Sequence, residues 1–131
     1  MLKKTLTYTD FNDEERTEDF YFNLTEAELA DMEITTIGGL TETMEKISKA
    51  KDKPALAKIF KEFILKAYGE KSPDGKRFMK SDEIRKAFEE TQAYSDIYME
   101  LATDADKASD FFKKILPSKL INEKKNEDKV L

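Results

Sequence analysis

The chain has 131 residues, 39% apolar and 39% charged, with a net charge of −5 and no cysteine, histidine or tryptophan. That is the size of one domain with a modest core under a densely ionic surface. The missing residues exclude a disulfide framework, a thiolate nucleophile, a zinc–thiolate site and the commonest general base, and the acidic balance argues against a nucleic-acid or anionic-membrane binder.

No apolar run approaches 18 residues, and Met1-Leu2-Lys3-Lys4 does not open a charged-then-apolar leader, so the expectation is a soluble, cytoplasmic protein. From Lys4 to Phe11, Leu6 and Tyr8 alternate with Thr5, Thr7 and Thr9, the period-two pattern of a half-buried strand. A charged turn, Asn12 to Glu15, leads to a second strand at 16–23 that turns Phe20 and Phe22 to one side and Tyr21 to the other. An isolated hairpin is marginal in water, so helices must cover its apolar face.

Thr25 and Glu28 have capping-box spacing, and Leu24 and Leu29 are placed for a hydrophobic staple. A first helix over 26–33 is therefore set at a fixed angle to the hairpin, ending before Gly38-Gly39. A second helix is expected over 40–50, with Leu40, Met44 and Ile47 on one face. A third follows Asp52, with Pro54 in its first turn and Gly69 past its end; its apolar stripe is Leu56, Ile59, Phe60, Phe63, Ile64 and Ala67. "SPDGK" reads as a tight Pro-Asp-Gly turn and lacks the spacing of a phosphate-binding loop. Ser81 starts a fourth helix carrying Ile84, Ala87 and Phe88. A fifth, at about 95–101, carries Ile97, Tyr98 and Leu101, and a sixth starts at Thr103 and is stopped by Pro117.

The expected fold is α+β and predominantly helical: an N-terminal β-hairpin (3–24) packed on a bundle of five to six helices (25–120). Residues 1–121 form one globular domain, and 122–131 a flexible charged tail.

Few residues offer chemistry. The acids Asp10, Asp13, Glu14, Glu15, Glu18 and Asp19 lack the alternating offsets and glycine of a calcium loop and read as a solvated turn. Glu89-Glu90 and Asp104/Asp106 read as helix surface and cap. The seven lysines between Lys46 and Lys66 lack interleaved aromatics on their face, so they read as a solvated helix face. No catalytic residue, metal ligand set or cofactor is expected. Two signals remain. Ten acids face one arginine between Asp10 and Glu33 while 46–66 is basic, a polarity that pairs within the molecule, orders copies head to tail or recruits a charged partner. Nine Phe and five Tyr, clustered at Phe20-Tyr21-Phe22 and Phe111-Phe112, exceed what one helical stripe needs.

The phrases "TEDFYFNLTEAEL", "ILKAYGEKSPDGKRF" and "ELATDADKA", within a similarity spanning about 3–120, resemble tail assembly chaperones of long-tailed bacteriophages of Gram-positive bacteria. The resemblance implies a non-enzymatic, mainly helical factor in the host cell cytoplasm. Its partners would be the apolar tape-measure protein, which it keeps soluble, and the major tail-tube protein, whose polymerisation it promotes. Self-association is compatible with this; nucleic acid and membrane are not expected partners. Such modules often yield a C-terminally extended frameshift product, for which the codons near Lys124-Lys125 are the place to look. A client of this kind needs exposed apolar surface, and Tyr21, Phe111, Phe112 and Ile115 are the residues expected to supply it. The alternatives are a minor head–tail or tail structural protein and a small counter-defence or metal-binding protein.

Overall fold

The computed structural model describes residues 1–35 and 53–117. The expected helix at 40–50, its Gly38-Gly39 boundary, the Asp52 cap and the charged tail lie outside the described residues. Within them the fold is α+β, an N-terminal antiparallel hairpin with five helices.

Strand β1 (Leu2–Thr9) pairs with β2 (Glu15–Phe22) in unbroken register from Leu2↔Phe22 to Thr9↔Glu15. The turn between them is built on Asp10, whose carboxylate accepts from the amides of Asn12 (2.8 Å) and Glu14 (3.0 Å) and from the Arg16 guanidinium. Asp13 turns the chain with a φ of 61°, a conformation that aspartate tolerates better than most residues. Helix α1 (Glu26–Thr35) begins with the expected capping box: the Thr25 amide donates to Glu28 at 2.9 Å, and the Glu28 amide donates to the Thr25 hydroxyl at 3.2 Å. Leu24 and Leu29 are both buried, as the staple requires.

Helix α2 (Lys53–Ala67) runs directly into β3 (Tyr68–Lys71), which pairs through the Ser72–Arg77 turn with β4 (Phe78–Met79). These two strands are absent from the sequence reading, which has Gly69 just past a helix end and Ser72 to Phe78 as a Pro-Asp-Gly turn. The reason is local. Tyr21 and Phe22 leave an open sheet edge that Gly69 and Tyr68 complete, and Gly69 lies so close to Phe78 that a β-carbon there would stand 2.8 Å from the ring. The turn itself forms as expected, with Asp74 accepting from the Ser72 hydroxyl and the Lys76 amide and Gly75 at a φ of 73°. The four strands lie in the order β1-β2-β3-β4.

Helix α3 (Asp82–Glu89) is capped by Ser81 as expected. Helix α4 (Gln92–Thr103) starts a turn earlier than expected because the Thr91 hydroxyl caps it, accepting from the Tyr94 amide. The cap of α5 (Ala105–Ile115) is Asp104 rather than Thr103: the Asp104 carboxylate takes the amides of Asp106 and Lys107, while the Thr103 hydroxyl donates to the Met99 carbonyl.

The core lies where Phe20, Phe22 and Leu24 meet Phe63, Ile64 and Ala67 of α2, Phe88 of α3, Ala93, Ile97 and Leu101 of α4, and Ala108, Phe111 and Ile115 of α5. Phe22 is its hub, with ring centroids 5.2 Å from Phe111, 5.8 Å from Tyr68 and 5.9 Å from Phe88. Tyr68 stacks on Phe88 at 3.9 Å. Backbone bonds lock the end of the hairpin to two helix C-termini, Asn23 donating to the Ala67 carbonyl and Leu24 to the Ile115 carbonyl.

Candidate partner-binding surface

The four residues expected to meet a partner fall into different environments. Phe111 is 4% exposed and Ile115 fully buried, so both are core residues of this fold rather than surface. The α5 face that carries them every fourth residue is the face docked on Phe22. Phe112, one position round the helix, is half-buried. Tyr21 lies on the other side of the sheet, half-exposed beneath the Lys71 ammonium, 4.2 Å from its ring centroid. The structure therefore does not join Tyr21 to Phe112.

What it does join is Phe112 and Phe60. Their rings lie 5.3 Å apart and bridge α2 to α5, and Phe112 also meets Phe63 edge-on at 5.2 Å. Phe60, Ile59, Phe112 and Leu116 are all partly covered and packed against the core, forming a half-open aromatic seam. Phe63, Phe111 and Ile115 on the same two helices are buried in the core. The neighbouring residues in sequence, Lys58 and Lys61 on α2 and Lys113 and Lys114 on α5, are exposed. Phe60 is a residue that sequence reasoning assigns to the core stripe alone. The signal that marks it is its position at the flank of that stripe, opposite the second of two consecutive phenylalanines.

Two polar arrangements frame the molecule elsewhere. Lys80 reaches the Asn23 carbonyl at 2.7 Å and Glu28 Oε2 at 2.6 Å, tying the start of α1 to the segment before α3. Burial alone would raise the Glu28 carboxyl, but Lys80 and the Thr25 amide outweigh it and hold the group below its ordinary value. Burial likewise depresses Lys80, more than Glu28 restores it. Glu100 on α4 binds Lys4 of β1 at 2.8 Å and Lys107 of α5 at 3.4 Å, joining three elements through one carboxylate. Three acids of the 10–33 stretch, Glu28, Asp10 and Asp19, pair with Lys80, Arg16 and Lys3. Among the described residues no group of three or more acidic side chains is arranged to hold a metal ion, and no helix is long and apolar enough to cross a membrane.

No curated protein and no solved structure matches the chain. The sequence pattern that defines the phage tail assembly chaperone family matches residues 1–130, nearly the whole length, and the chain belongs to that family.

Proposed function

We propose that this protein binds the tape-measure protein in the host cytoplasm, keeps it soluble and promotes polymerisation of tail-tube subunits around it, by binding alone and without bond-breaking chemistry. The observation that carries this reading is the family match over residues 1–130. The half-open Phe60/Phe112 seam gives it a place to act, because a long apolar helical client presents a stripe that such a seam accommodates. Lys58, Lys113 and Lys114, exposed and next to these residues in sequence, suit acidic residues flanking that stripe, while Lys61 is paired with Glu89 at 3.1 Å. Phe111 and Ile115 serve from the core, by holding Phe112 in place.

The test is co-production with the tape-measure protein. Tagged wild-type chain captures it in the soluble fraction, and a Phe60→Ser, Phe112→Ser variant that still melts cooperatively captures at least about tenfold less, the loss of one or two buried aromatic contacts. Undiminished capture by the folded variant rules out the seam. Mass spectrometry of purified particles separates an assembly factor, absent from them, from a minor tail component.

A further inference from the structure

Among the described residues, strand β1 is an outer strand of the sheet. The amide of Asp10 donates to the Glu14 carbonyl, so residues in step with Asp10 — Leu2, Lys4, Leu6 and Tyr8 — turn their backbone groups to β2. Lys3, Thr5, Thr7 and Thr9 therefore point their N–H and C=O groups away from the sheet. Folded proteins usually protect such an edge with lysine, proline, a bulge or an inward-pointing charge; the lysine here, Lys3, stands at the end of the strand, 4.0 Å from Asp19. Here the register is unbroken and proline is absent from the strand. The one inward-side charge, Lys4, is neutralised by Glu100 at 2.8 Å. The unpaired stretch of β2, by contrast, carries exposed Glu15, Arg16, Glu18 and Asp19.

We infer that the β1 edge is an interface for a second copy of this chain, joined antiparallel across a two-fold axis at Leu6. The occupant is argued from charge and alternation. β1 has Lys3 and Lys4 at one end and runs into Asp10, Asp13 and Glu14 at the other, so antiparallel copies lay the basic end of one strand beside the acidic end of the next. Only registers that pair odd with odd positions keep the apolar faces together. The register centred on Leu6 sets Leu6 against Leu6, Lys4 against Tyr8 and Thr5 against Thr7, with no lysine facing a lysine. It also covers Leu2, Leu6 and Tyr8, which the edge leaves half-buried.

Sedimentation velocity over a concentration series tests this independently of any client. The wild-type chain forms a dimer. Thr7→Pro, whose missing N–H faces outward, keeps every backbone bond to β2 and loses only the hydroxyl contact with Thr17 (2.9 Å); it weakens the dimer by about tenfold or more while still melting cooperatively. Because the chain has no native cysteine, register is read by single variants. Leu6→Cys, at a non-hydrogen-bonded pair about 4.5 Å across, forms an intermolecular disulfide under mild oxidant. Thr5→Cys, displaced to about 7–8 Å, does not. A chain that stays monomeric at millimolar concentration, a dimer that survives Thr7→Pro, or equal cross-linking by both cysteine variants overturns the proposal. A monomer whose Thr7→Pro variant instead loses tape-measure capture also overturns it, and assigns the edge to the client.

Discussion

Glu28 serves two structures with one carboxylate: Oε1 closes the capping box on Thr25, and Oε2 binds Lys80, which also holds the Asn23 carbonyl. Replacing it with alanine leaves a largely buried ammonium with a single carbonyl partner. The expected loss is about 2–3 kcal/mol, read as a lower urea midpoint, and a double-mutant cycle with Lys80→Met recovers a coupling of about 1 kcal/mol or more. Additive losses would show that the two side chains act apart. The pH dependence follows from direction. Glu28, Glu100, Asp10 and Asp74 all have carboxyls held below the ordinary range, so the unfolded chain binds more protons at mildly acid pH. Their contribution is complete above about pH 5 and is lost as pH falls through their lowered values. At the alkaline end, the bond from Tyr8 to Glu18 and burial of Tyr94 push both phenols up to about 12, so the folded state keeps protons that the unfolded chain releases. The contribution of these two phenols is therefore complete below about pH 10 and is lost between there and 12. Melting temperatures across the pH range check both limbs, and a flat profile would contradict them.

Among the elements, β3 is the one whose sequence says least about its state. "YGEKSPDGKRF" contains two glycines and a proline and no alternation long enough to mark a strand, so only the turn was legible. Its strands exist because β2 offers a two-residue edge and Gly69 admits the Phe78 ring, facts that depend on tertiary placement. Gly69→Ala drives a methyl group into Phe78 and the Met79 carbonyl, 2.8 and 3.0 Å away, and is expected to cost about 1–3 kcal/mol of unfolding free energy. Gly75→Ala has open space but a left-handed φ, and costs about 1 kcal/mol. A denaturation midpoint for Gly69→Ala no lower than that for Gly75→Ala would remove the packing argument. The hairpin and α1 were readable because alternation and a capping box are local signals. The starts of α4 and α5 differ from the sequence expectation by a turn and by a single residue because Thr91, Ser95, Thr103 and Asp104 all suit a cap, and only packing selects among them.

At the scale of the molecule, five phenylalanines and a tyrosine, drawn from the hairpin, β3 and two helices, form one ring network through Phe22. Phe22→Ala is expected to remove about 3–5 kcal/mol, much of the stability of a domain this size, and to lower the thermal midpoint by more than any surface substitution. The same convergence explains why the partner-binding residues were only partly legible. A run of aromatics in sequence shows that apolar area is plentiful, but its division between core and surface depends on how α5 is rotated. That rotation puts Phe111 and Ile115 inward, leaves Phe112 at the margin, and brings Phe60 beside it from α2. The most direct test is amide hydrogen exchange on the chain alone and bound to the tape-measure protein. The account predicts new protection concentrated on residues 54–67 and 105–116, where the seam lies, with the outer face around Tyr21 unchanged. Protection confined to the sheet, or none in α2 and α5, would contradict it.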